Sequence, residues 1–488
     1  MTIQQLYQLF LQHPVVTTDS RDVPAGSIFF ALKGETFDGN QYASAALEQG
    51  AAYAVVDDPA VAAGSSMVLV SDVLQALQQL ACYHRRQLGT TVIGITGTNG
   101  KTTTKELIAS VLKKKYNVLY TQGNFNNHIG VPKTLLQLTA DHEMAVIEMG
   151  ANHPGEIKTL VEIACPDYGI ITNVGKAHLE GFGSFEGVIR TKGELYDYLR
   201  QHGGTAFING GNEHLKGISQ GLTLVTYQAC PNSSESGENC PSSPNPSESE
   251  VTGRLIDCNP FVQFGWQASG AEPQTVQTHL IGSYNLDNLL AAACIGTFFG
   301  VAPTDISTAL GDYQPSNNRS QLTVTADNRL IVDAYNANPT SMAAALDNFS
   351  HIGADHKMVI LGDMKELGTV SQSEHKKILD KLAATPDIEQ IWLVGEEFAK
   401  ASASSQPHNH TTSRPQNLTS PPAPKGGGSP ANAPLPIEEG WGGASNLTTF
   451  PDVAAVKSVL QTARKPQGYT ILVKGSNSTR LIQLVELL

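Results

Sequence analysis

A glycine-rich loop between an apolar strand and a helix limits the possible folds of this chain more than any other feature. The apolar run Thr91–Thr96 is typical of a buried strand, and the apolar positions of Lys105–Lys114 repeat with the period of a helix. Between them lies Gly97-Thr-Asn-Gly100-Lys-Thr-Thr-Thr104, whose glycines let backbone N–H groups point at a phosphate. The helix N-terminus adds its partial positive charge. A nucleotide-binding parallel sheet is therefore the first prediction.

The side chains of this loop have separate predicted roles. Lys101 is expected to reach the β- and γ-phosphates of a nucleotide, and the Thr102 hydroxyl is expected to bind Mg²⁺. The general phosphate-loop pattern requires glycine at position 95, where this chain has Ile95. A kinase or a GTPase would satisfy the loop equally well, although the sequence contains no N-K-x-D base-reading motif. A plain glycine turn before a helix is the structural alternative. The other residues predicted to line the nucleotide are Gly97, Thr98, Asn99, Gly100 and Thr103.

Two further side chains follow strands of the same predicted sheet. Glu148 ends the apolar run that begins near Ala145, and His178 follows the run Gly169–Val174. The carboxyl ends of parallel strands meet at the edge of a sheet where ligands bind. A carboxylate and an imidazole at that edge are candidate Mg²⁺ ligands beside nucleotide phosphates. Either residue could instead have a structural role.

The length of the chain requires more than one domain. Its 488 residues are too many for one hydrophobic core. Short β-like runs in residues 1–86 indicate a small α/β domain, 87–312 contain the glycine-rich loop, and a second alternation of strands and helices occupies 313–488. Two stretches poor in large apolar residues, 228–250 and 401–449, are predicted to be polar insertions.

Charge and composition argue against several classes of protein. The 32 basic residues against 45 acidic ones give a net charge of −13, which argues against a nucleic-acid-binding protein. The longest weakly polar run, Leu289–Ala302, is shorter than the roughly 20 residues of a membrane helix and indicates a buried helix. The six cysteines form no C-x-x-C pair, which favours reduced thiols. We therefore expect a cytoplasmic protein with neither nucleic-acid nor membrane partners.

Nine short motifs follow one another along the chain. They are Thr18–Arg21 with Phe29–Gly34 and Asp38-Gly39, Gly97–Thr104, Asn124–Pro132, Glu148–Gly150, Asn173–His178, Thr191–Glu194, Tyr284–Asn288, Asn318–Gln321 and Asp333–Pro339. In this order they resemble the Mur ligases of peptidoglycan synthesis, which are ATP-dependent amide-forming enzymes related to folylpolyglutamate synthase. The resemblance covers nearly the whole chain outside the two insertions. The short spacing Gly97-x-x-Gly100 is the form of the loop that this family carries.

The resemblance implies a three-domain α/β architecture and a ligase activity. A small N-terminal domain would bind a UDP sugar, a central parallel-sheet domain would bind ATP, and a C-terminal Rossmann-like domain would complete the site. The reaction would use ATP and two Mg²⁺ ions and would pass through an acyl phosphate and a tetrahedral intermediate. The motif Asp333–Pro339 resembles the branch that adds D-alanyl-D-alanine to UDP-N-acetylmuramoyl-tripeptide, and the Asp-Asn/Asp-Pro-Arg motif of the diamino-acid-adding branch is missing from the sequence. We expect a monomer.

The same resemblance assigns further site residues. The UDP-sugar residues would be Ser20, Arg21, Asp38 and Gly39, with Asn126 and Asn127 also on the substrate side. The nucleotide residues would be Asn285 and Asn288 near the adenine, Arg319 near the phosphates and Asp333 near the ribose. The dipeptide residues would be Tyr335, Asn336 and Asn338. Two alternatives remain open: Asp19 and Arg21 could form a surface ion pair, and the last two asparagines could shape a turn before the helix Thr340–Phe349.

The catalytic residues implied by the resemblance are Lys101, Lys192 and His178. Lys192, in Thr191-Lys-Gly-Glu194, matches the carbamylated lysine of the family, which would bind a second Mg²⁺ together with His178. Its structural alternative is a surface lysine at the start of the helix Gly193–Leu199. For the whole protein the alternatives are a tripeptide synthetase or folylpolyglutamate synthase, an ATP-binding scaffold without catalysis, and a small-molecule kinase.

Overall fold

Three β-sheets, each with its own helices, make up the described part of the chain. The structure is a computed structural model, and it describes residues 1–230, 250–315, 319–403, 446–462 and 465–488. The chain divides into two compact units, Met1–Pro315 and Ser316–Leu488. Two of the sheets belong to the first unit and the third sheet belongs to the second.

The first sheet has four short parallel strands that are neighbours in chain order. Its strands are β1 Val16–Thr17, β2 Ile28–Phe30, β3 Tyr53–Val56 and β4 Met67–Leu69, and its helices are α1 Ile3–Gln12, α2 Ala43–Glu48 and α3 Val73–Leu88. Helix α3 begins where it does because the Asp72 carboxylate accepts a hydrogen bond from the backbone N–H of Gln75 at 2.7 Å. It ends at Gly89, whose left-handed backbone suits glycine.

The second sheet contains the glycine-rich loop. Within the described residues it has nine strands in the order β13-β12-β11-β10-β9-β8-β5-β7-β6. The strands are β5 Thr91–Thr96, β6 Val118–Tyr120, β7 Met144–Glu148, β8 Tyr168–Ile171, β9 Thr205–Asn209, β10 Thr223–Ala229, β11 Glu250–Cys258, β12 Phe261–Ala268 and β13 Gln274–Ile281. Its helices are α4 Lys101–Leu112, α5 Gly130–Leu135, α6 Glu156–Ala164, α7 Leu179–Phe182, α8 Phe185–His202, α9 Glu213–Ile218, α10 Asn285–Phe298 and α11 Pro303–Asp312. Strand order reverses around β5, so the loop after β5 lies at the switch point where α/β sheets bind ligands.

One edge of this sheet departs from the predicted parallel pattern. Strands β11, β12 and β13 pair with one another in antiparallel fashion, whereas β5 to β10 are parallel to their neighbours. The side chains of β12 alternate between buried and less buried positions, as expected for a strand with only one face on the core. The predicted parallel ATPase sheet is therefore extended by an antiparallel edge.

The third sheet has six strands in the described residues, in the order β14-β15-β19-β16-β17-β18, and only β14 is antiparallel. Its strands are β14 Gln321–Val324, β15 Arg329–Asp333, β16 Lys357–Gly362, β17 Gln390–Val394, β18 Leu447–Phe450 and β19 Thr470–Lys474. Its helices are α12 Pro339–His351, α13 Ser371–Ala383, α14 Glu396–Ala403 and α15 Val453–Thr462. Parallel strands with intervening helices form the Rossmann-like arrangement predicted for this part of the chain.

Helix α3 joins the cores of the first two sheets. It packs against α1 on the side of the small sheet and against α5 and α6 on the side of the second sheet. Leu77 of α3 belongs to one continuous apolar cluster that contains Leu6 from the first helix and Leu135 and Ile157 from the second sheet's helices. One face of the small sheet therefore shares its hydrophobic core with the second sheet, whereas its other face packs with α2 in a separate small cluster that contains Phe29, Ala46 and Val56.

Two helices differ from the predicted ranges. Helix α10 begins at Asn285 and ends at Phe298, so the predicted buried helix lies nearer to the N-terminus than the run Leu289–Ala302. Helix α8 begins at Phe185, where the Ser184 hydroxyl accepts from the backbone N–H of Gly187, and continues to His202. Lys192 is thus in the middle of this helix, and the predicted helix start at Gly193 is wrong.

The predicted polar insertions lie largely outside the described residues. The described ends of both insertions belong to regular elements. In the first insertion, residues 228–229 end β10 and residue 250 begins β11. In the second, residues 401–403 end α14, and residues 446–449 include the first three residues of β18. The predicted insertions are therefore too wide at their ends. Cys230 is disulfide-bonded, so the expectation of reduced thiols throughout is wrong, whereas Cys82, Cys165, Cys258 and Cys294 form no disulfide. No helix within the described ranges has the length and apolar character needed to cross a bilayer.

Candidate active site

The glycine-rich loop depends on glycine at two positions for different reasons. Gly97 has φ of 143°, and a Cβ atom there would lie 2.0 Å from the Thr172 hydroxyl oxygen. Gly100 has φ of 77°, and a Cβ atom there would lie 2.7 Å from the Asn288 side-chain oxygen. Other residues rarely adopt this backbone conformation, and neither site has space for a side chain. The chain therefore turns sharply enough for α4 to begin directly at Lys101.

The loop is held by the segment that follows β8. The Asn173 side chain accepts a hydrogen bond from the backbone N–H of Asn99 at 3.0 Å and donates one to its carbonyl oxygen at 3.0 Å. The Thr172 hydroxyl donates to the same carbonyl at 2.7 Å. The backbone N–H of Thr98 donates to the Asn173 carbonyl at 2.9 Å. Thr98 and Asn99 are therefore fixed before any ligand binds, which lowers the entropy lost on binding.

Glu148 is a buried carboxylate that connects three of the predicted motifs. It is 1 % exposed at the carboxyl end of β7. Its Oε1 atom accepts hydrogen bonds from the Thr102 hydroxyl at 3.2 Å and from the Asn126 side-chain amide at 2.9 Å. Its Oε2 atom is buried and accepts no hydrogen bond within the described residues. One buried anionic oxygen beside the Thr102 hydroxyl fits the hard oxygen ligands that Mg²⁺ prefers.

Lys105 lies beside this carboxylate and was not predicted from the sequence. Its Nζ atom is 3.8 Å from Oε2 of Glu148 and 3.6 Å from Oε1 of Glu106, and its side chain is 1 % exposed. The same ammonium lies 5.6 Å from the centre of the Tyr120 ring. A buried carboxylate without an opposite charge would be costly, and Lys105 provides that charge. The spacing of one helical turn after Lys101 was the only sequence signal for this role.

Lys101 is folded over the loop in this structure. Its Nζ atom donates to the carbonyl oxygens of Gly97 at 2.9 Å and Thr98 at 3.1 Å. This position places a positive charge directly above the backbone that the sequence predicted to surround a phosphate. Thr103, the next predicted nucleotide residue, is half-buried on the first turn of α4. The structure therefore brings the loop lysine, the Thr102 hydroxyl and Glu148 into one small region.

Lys192 is buried rather than on the surface. It is 2 % exposed, its Nζ atom donates to the Ala151 carbonyl at 3.3 Å, and it lies 5.2 Å from the centre of the Phe182 ring. Burial, together with the nearby charge of Lys101, holds the pKa of this amine well below its ordinary value. The surface-lysine alternative is wrong. His178, half-buried, precedes α7 in the left-handed backbone region at φ of 50°, with its ring 6.2 Å from that of Phe182.

The two asparagines predicted near the adenine lie behind the loop. Asn288 accepts from the Thr104 hydroxyl at 3.0 Å and donates to the Asn285 side chain at 2.9 Å, and Asn285 donates to the Ile281 carbonyl at 2.9 Å. Both are buried. These hydrogen bonds connect α10 to α4, and they hold the Asn288 side chain against Gly100. That Asn285 and Asn288 contact the adenine of the nucleotide remains a prediction.

The predicted UDP-sugar residues have local roles in the small sheet's loops. Arg21 forms a two-point ion pair with Asp19, with Nε–Oδ1 of 2.9 Å and Nη2–Oδ2 of 2.7 Å. This pair is the surface alternative that the sequence left open, and Ser20 is the residue between them in sequence. Asp38 accepts from the backbone N–H of Asn40 at 3.0 Å, and a Cβ atom on Gly39 would lie 2.4 Å from the Leu32 carbonyl oxygen. Gly39 is therefore required for close backbone packing whether or not it contacts a ligand.

The second substrate-side motif supports Glu148. The backbone N–H of Gly150 donates to the Asn126 carbonyl at 2.8 Å, so Asn126 contacts the strand end with both its backbone and its side chain. Asn127 accepts from the backbone N–H groups of Ile129 at 3.1 Å and Gly130 at 2.8 Å, and it thereby shapes the turn before α5.

The predicted residues of the second unit form two local groups. The Arg319 guanidinium stacks 3.9 Å from the centre of the Tyr335 ring. Asp333 forms an ion pair with Lys474 of β19 at 2.5 Å, and the Lys474 side chain is only 1 % exposed.

Lys474 is a further residue that the sequence did not reveal as part of the site, because 141 positions separate it from Asp333. Asn338 caps α12 by accepting from the backbone N–H of Ser341 at 2.9 Å, so it shapes a helix start as the alternative proposed. Asn336 is exposed and accepts from the backbone N–H of Ala337 at 2.9 Å.

Comparison with protein-family models assigns three consecutive segments of the chain. The Mur ligase family catalytic domain matches residues 14–85, the Mur ligase middle domain matches 95–296, and the Mur ligase glutamate ligase domain matches 318–477. A UDP-N-acetylmuramoyl-tripeptide–D-alanyl-D-alanine ligase of Bacillus subtilis is 37% identical over 78% of this chain and 80% of its own. The chain belongs to the Mur ligase family.

Further relatives are similar to this chain over most of its length. The Escherichia coli ligase with the same name is 34% identical over 83% of this chain and 86% of its own. A crystal structure of MurF from Acinetobacter baumannii superposes with a TM-score of 0.78, covers 99% of this chain and 98% of its own, and is 30% identical. The predicted resemblance, the three-domain α/β fold class and the assignment to ATP-dependent ligases are confirmed. The boundaries at 86/87 and 312/313, and the individual site residues, remain predictions.

We predict that Lys105→Met lowers the free energy of unfolding by about 3 kcal/mol, because it leaves the Glu148 carboxylate buried without an opposite charge. Adding Glu148→Gln should recover part of this loss, since the charge that needs a partner is then absent. Chemical denaturation of the two single variants and the double variant measures the coupling.

Lys113→Met is the matched control for this cycle. Lys113 also lies over the Tyr120 ring, at 4.4 Å, but it is exposed at the end of α4. Its replacement should change stability by less than about 0.5 kcal/mol. Equal losses for the two lysines, or strictly additive losses in the double variant, would contradict the role given to Lys105.

Proposed function

We propose that this Mur ligase joins D-alanyl-D-alanine to UDP-N-acetylmuramoyl-tripeptide while ATP is converted to ADP and phosphate, in the synthesis of peptidoglycan precursors. The observation that carries the proposal is the similarity to two ligases of that name, which extends over 78% and 83% of this chain. The motif Asp333–Pro339 supports the same branch of the family. A cytoplasmic location, a monomeric state and the lack of nucleic-acid and membrane partners accompany the proposal as sequence-based predictions.

The chemistry of amide formation explains why cations are needed at the loop. A carboxylate is a poor electrophile, so the γ-phosphoryl group of ATP is first transferred to it to form an acyl phosphate. The amine of the dipeptide then attacks the acyl carbon, and the tetrahedral intermediate collapses with loss of phosphate. Both steps concentrate negative charge in a small volume, which fixed positive groups stabilise. Lys101, at the N-terminus of α4, supplies one such group.

Two Mg²⁺ ions would provide further positive charge beside the phosphates. Thr102 and Glu148 would hold one of them, which agrees with the buried Oε2 atom of Glu148 that accepts no hydrogen bond within the described chain. His178 and a carbamylated Lys192 would hold the second. No three His, Cys, Asp or Glu side chains gather as a metal site in the described residues. A threonine hydroxyl, a carbamate, phosphate oxygens and water would complete the ligand sets.

Carbamylation of Lys192 is supported by its surroundings. The reaction joins the lysine nitrogen to the carbon of CO₂ and releases one proton, and it requires the neutral amine. Burial and the charge of Lys101 lower the pKa of Lys192, so the neutral amine is favoured at lower pH than for a free lysine. The carbamate would also place a negative charge near Lys101, where a protonated Lys192 would be repelled.

The remaining assignments follow the family motifs. We propose that residues 1–86 bind the UDP sugar, that 87–312 bind ATP and that 313–488 complete the site. The substrate residues proposed for the first two parts are Ser20, Arg21, Asp38, Gly39, Asn126 and Asn127. The nucleotide and dipeptide residues proposed for the later parts are Asn285, Asn288, Arg319, Asp333, Tyr335, Asn336 and Asn338. To bind a ligand oxygen, the Arg21 guanidinium would first have to break its ion pair with Asp19.

We predict that phosphate release from ATP and UDP-N-acetylmuramoyl-tripeptide depends on D-alanyl-D-alanine. Parallel reactions with L-lysine, diaminopimelate and glutamate test the tripeptide-synthetase and folylpolyglutamate-synthase alternatives. ADP formation that no amine affects and that releases no free phosphate would favour a kinase, and ATP binding that forms neither ADP nor phosphate would favour a scaffold.

We predict that Lys101→Ala lowers the rate of ligation at least about a hundredfold, because a lost charge contact of this type is worth on the order of 3 kcal/mol in the transition state. The variant should keep the circular dichroism spectrum of the unmodified protein. Lys114→Ala, which removes an exposed lysine just after the same helix, is the control and should retain full activity. Near-normal turnover of Lys101→Ala would overturn the assignment of the phosphate loop.

We predict that Lys192→Ala loses most activity and that acetate or another short carboxylic acid partly restores it, because the acid fills the vacated space with an anionic ligand. Lys192→Arg should remain inactive, since its permanent positive charge cannot become a metal ligand. Lys216→Ala, on the exposed surface of α9, is the control for a lysine outside the site. Full activity of Lys192→Arg would rule out the carbamate.

A further inference from the structure

Two free thiols that are distant in sequence lie against each other where α3, a helix of the small sheet, packs against α6, a helix of the second sheet. The sulfur atoms of Cys82 and Cys165 are 3.2 Å apart, although 83 positions separate the residues. Cys82 is half-buried on α3, and Cys165 is the residue that caps the C-terminus of α6. We propose that this pair is an oxidation site, at which a hydroperoxide converts the two thiols to a disulfide that joins α3 to α6.

The surroundings of Cys165 favour its thiolate. Cys82 lies within hydrogen-bond distance, Arg86 of α3 donates to the Cys165 sulfur from Nη2 at 3.4 Å, and the Tyr198 hydroxyl of α8 is a further hydrogen-bond partner. The hydrogen bond from Cys82 and the hydrogen bond and charge of Arg86 outweigh burial, which raises the pKa of the Cys165 thiol, and they lower this pKa to about 5. The C-terminus of α6 opposes a negative charge there, so the arginine is needed to offset the helix dipole.

The Cys82 thiol loses its proton less readily than the Cys165 thiol does. Its hydrogen bond to Cys165, and then burial, raise the pKa of its thiol, so it keeps its proton when Cys165 has lost its own. Reactive cysteines are typically thiolates beside a cation, and redox-active ones often lie next to a second thiol. Cys258 lies elsewhere, at the end of β11, where burial raises the pKa of its thiol.

The oxidation proceeds in two balanced steps. The Cys165 thiolate attacks one oxygen of the hydroperoxide, the O–O bond breaks, and the departing oxygen takes up a proton to leave as water or an alcohol. The resulting sulfenic acid is then attacked by the Cys82 sulfur, and water leaves with the Cys82 proton. The two sulfurs need to approach by roughly 1.2 Å from 3.2 Å to reach disulfide bond length.

The disulfide would tie the small sheet to the second sheet. Helix α3 packs against α1 of the small sheet, and α6 belongs to the second sheet. A cross-link that closes a loop of 83 positions removes conformational freedom mainly from the unfolded chain. We expect the melting temperature of the oxidised protein to rise on the order of 5 °C above that of the reduced protein.

Peptide mapping of the full-length protein after hydrogen peroxide treatment tests the proposal. The expected product is a Cys82–Cys165 linked peptide about 2 Da lighter than the two reduced peptides together. Cys82→Ser should instead accumulate a sulfenic acid at Cys165 that dimedone captures, and Cys165→Ser should give neither product. Cys258→Ser is the control and should form the link as readily as the unmodified protein.

Two further measurements separate reactivity from simple proximity. Arg86 is exposed, so Arg86→Gln should fold normally yet slow the oxidation of Cys165 about tenfold, while Arg86→Lys should retain part of the rate. The melting comparison should use Cys82→Ser as its reference, because that variant keeps the disulfide of Cys230. The proposal is overturned if the linked peptide does not form, or if Arg86→Gln leaves the oxidation rate unchanged.

Discussion

The buried carboxylate of Glu148 is the interaction on which the ligand-binding edge of the second sheet depends. It lies at the end of β7, and its hydrogen bonds reach Thr102 on the first turn of α4 and Asn126 in the loop before α5. Such a charge is stable in the interior only when hydrogen bonds and an opposite charge accompany it. Lys105 provides the opposite charge from within α4. One side chain therefore fixes the relative positions of a strand, a helix and a loop that are far apart in sequence.

Two buried lysines near this edge have opposite electrostatic surroundings. Lys105 lies within salt-bridge distance of two carboxylates. Among the described residues, no carboxylate lies within that distance of the Lys192 amine, which has a backbone carbonyl and an aromatic ring as neighbours. An ammonium is therefore well accommodated at the first position and poorly accommodated at the second. The proposed carbamylation of Lys192 would remove the positive charge at the position that accommodates it poorly.

The sequence predicted the features that follow from local periodicity and chain order. Glu148 could be assigned to the loop's edge because it ends an apolar run, and parallel strands place such ends together. Lys105 could not be assigned, because a helical lysine is usually exposed and the opposing carboxylate belongs to a strand that the helix sequence does not indicate. The ion pair of Asp333 and Lys474 could not be predicted either, because it depends on β15 and β19 being neighbours in the sheet, which their sequences do not indicate. The antiparallel edge was missed although β12 alternates in the way such strands do.

The shared core beneath α3 has a consequence for the order in which the chain folds during synthesis. The strands of the small sheet contain two to four residues each, too few to form a stable sheet alone. The apolar cluster that contains Leu77 also contains Leu135 and Ile157, which leave the ribosome well after the last strand of that sheet. The N-terminal segment is therefore expected to remain unfolded on the ribosome until α6 has been made. A chaperone that recognises exposed apolar segments would meet this part of the nascent chain first.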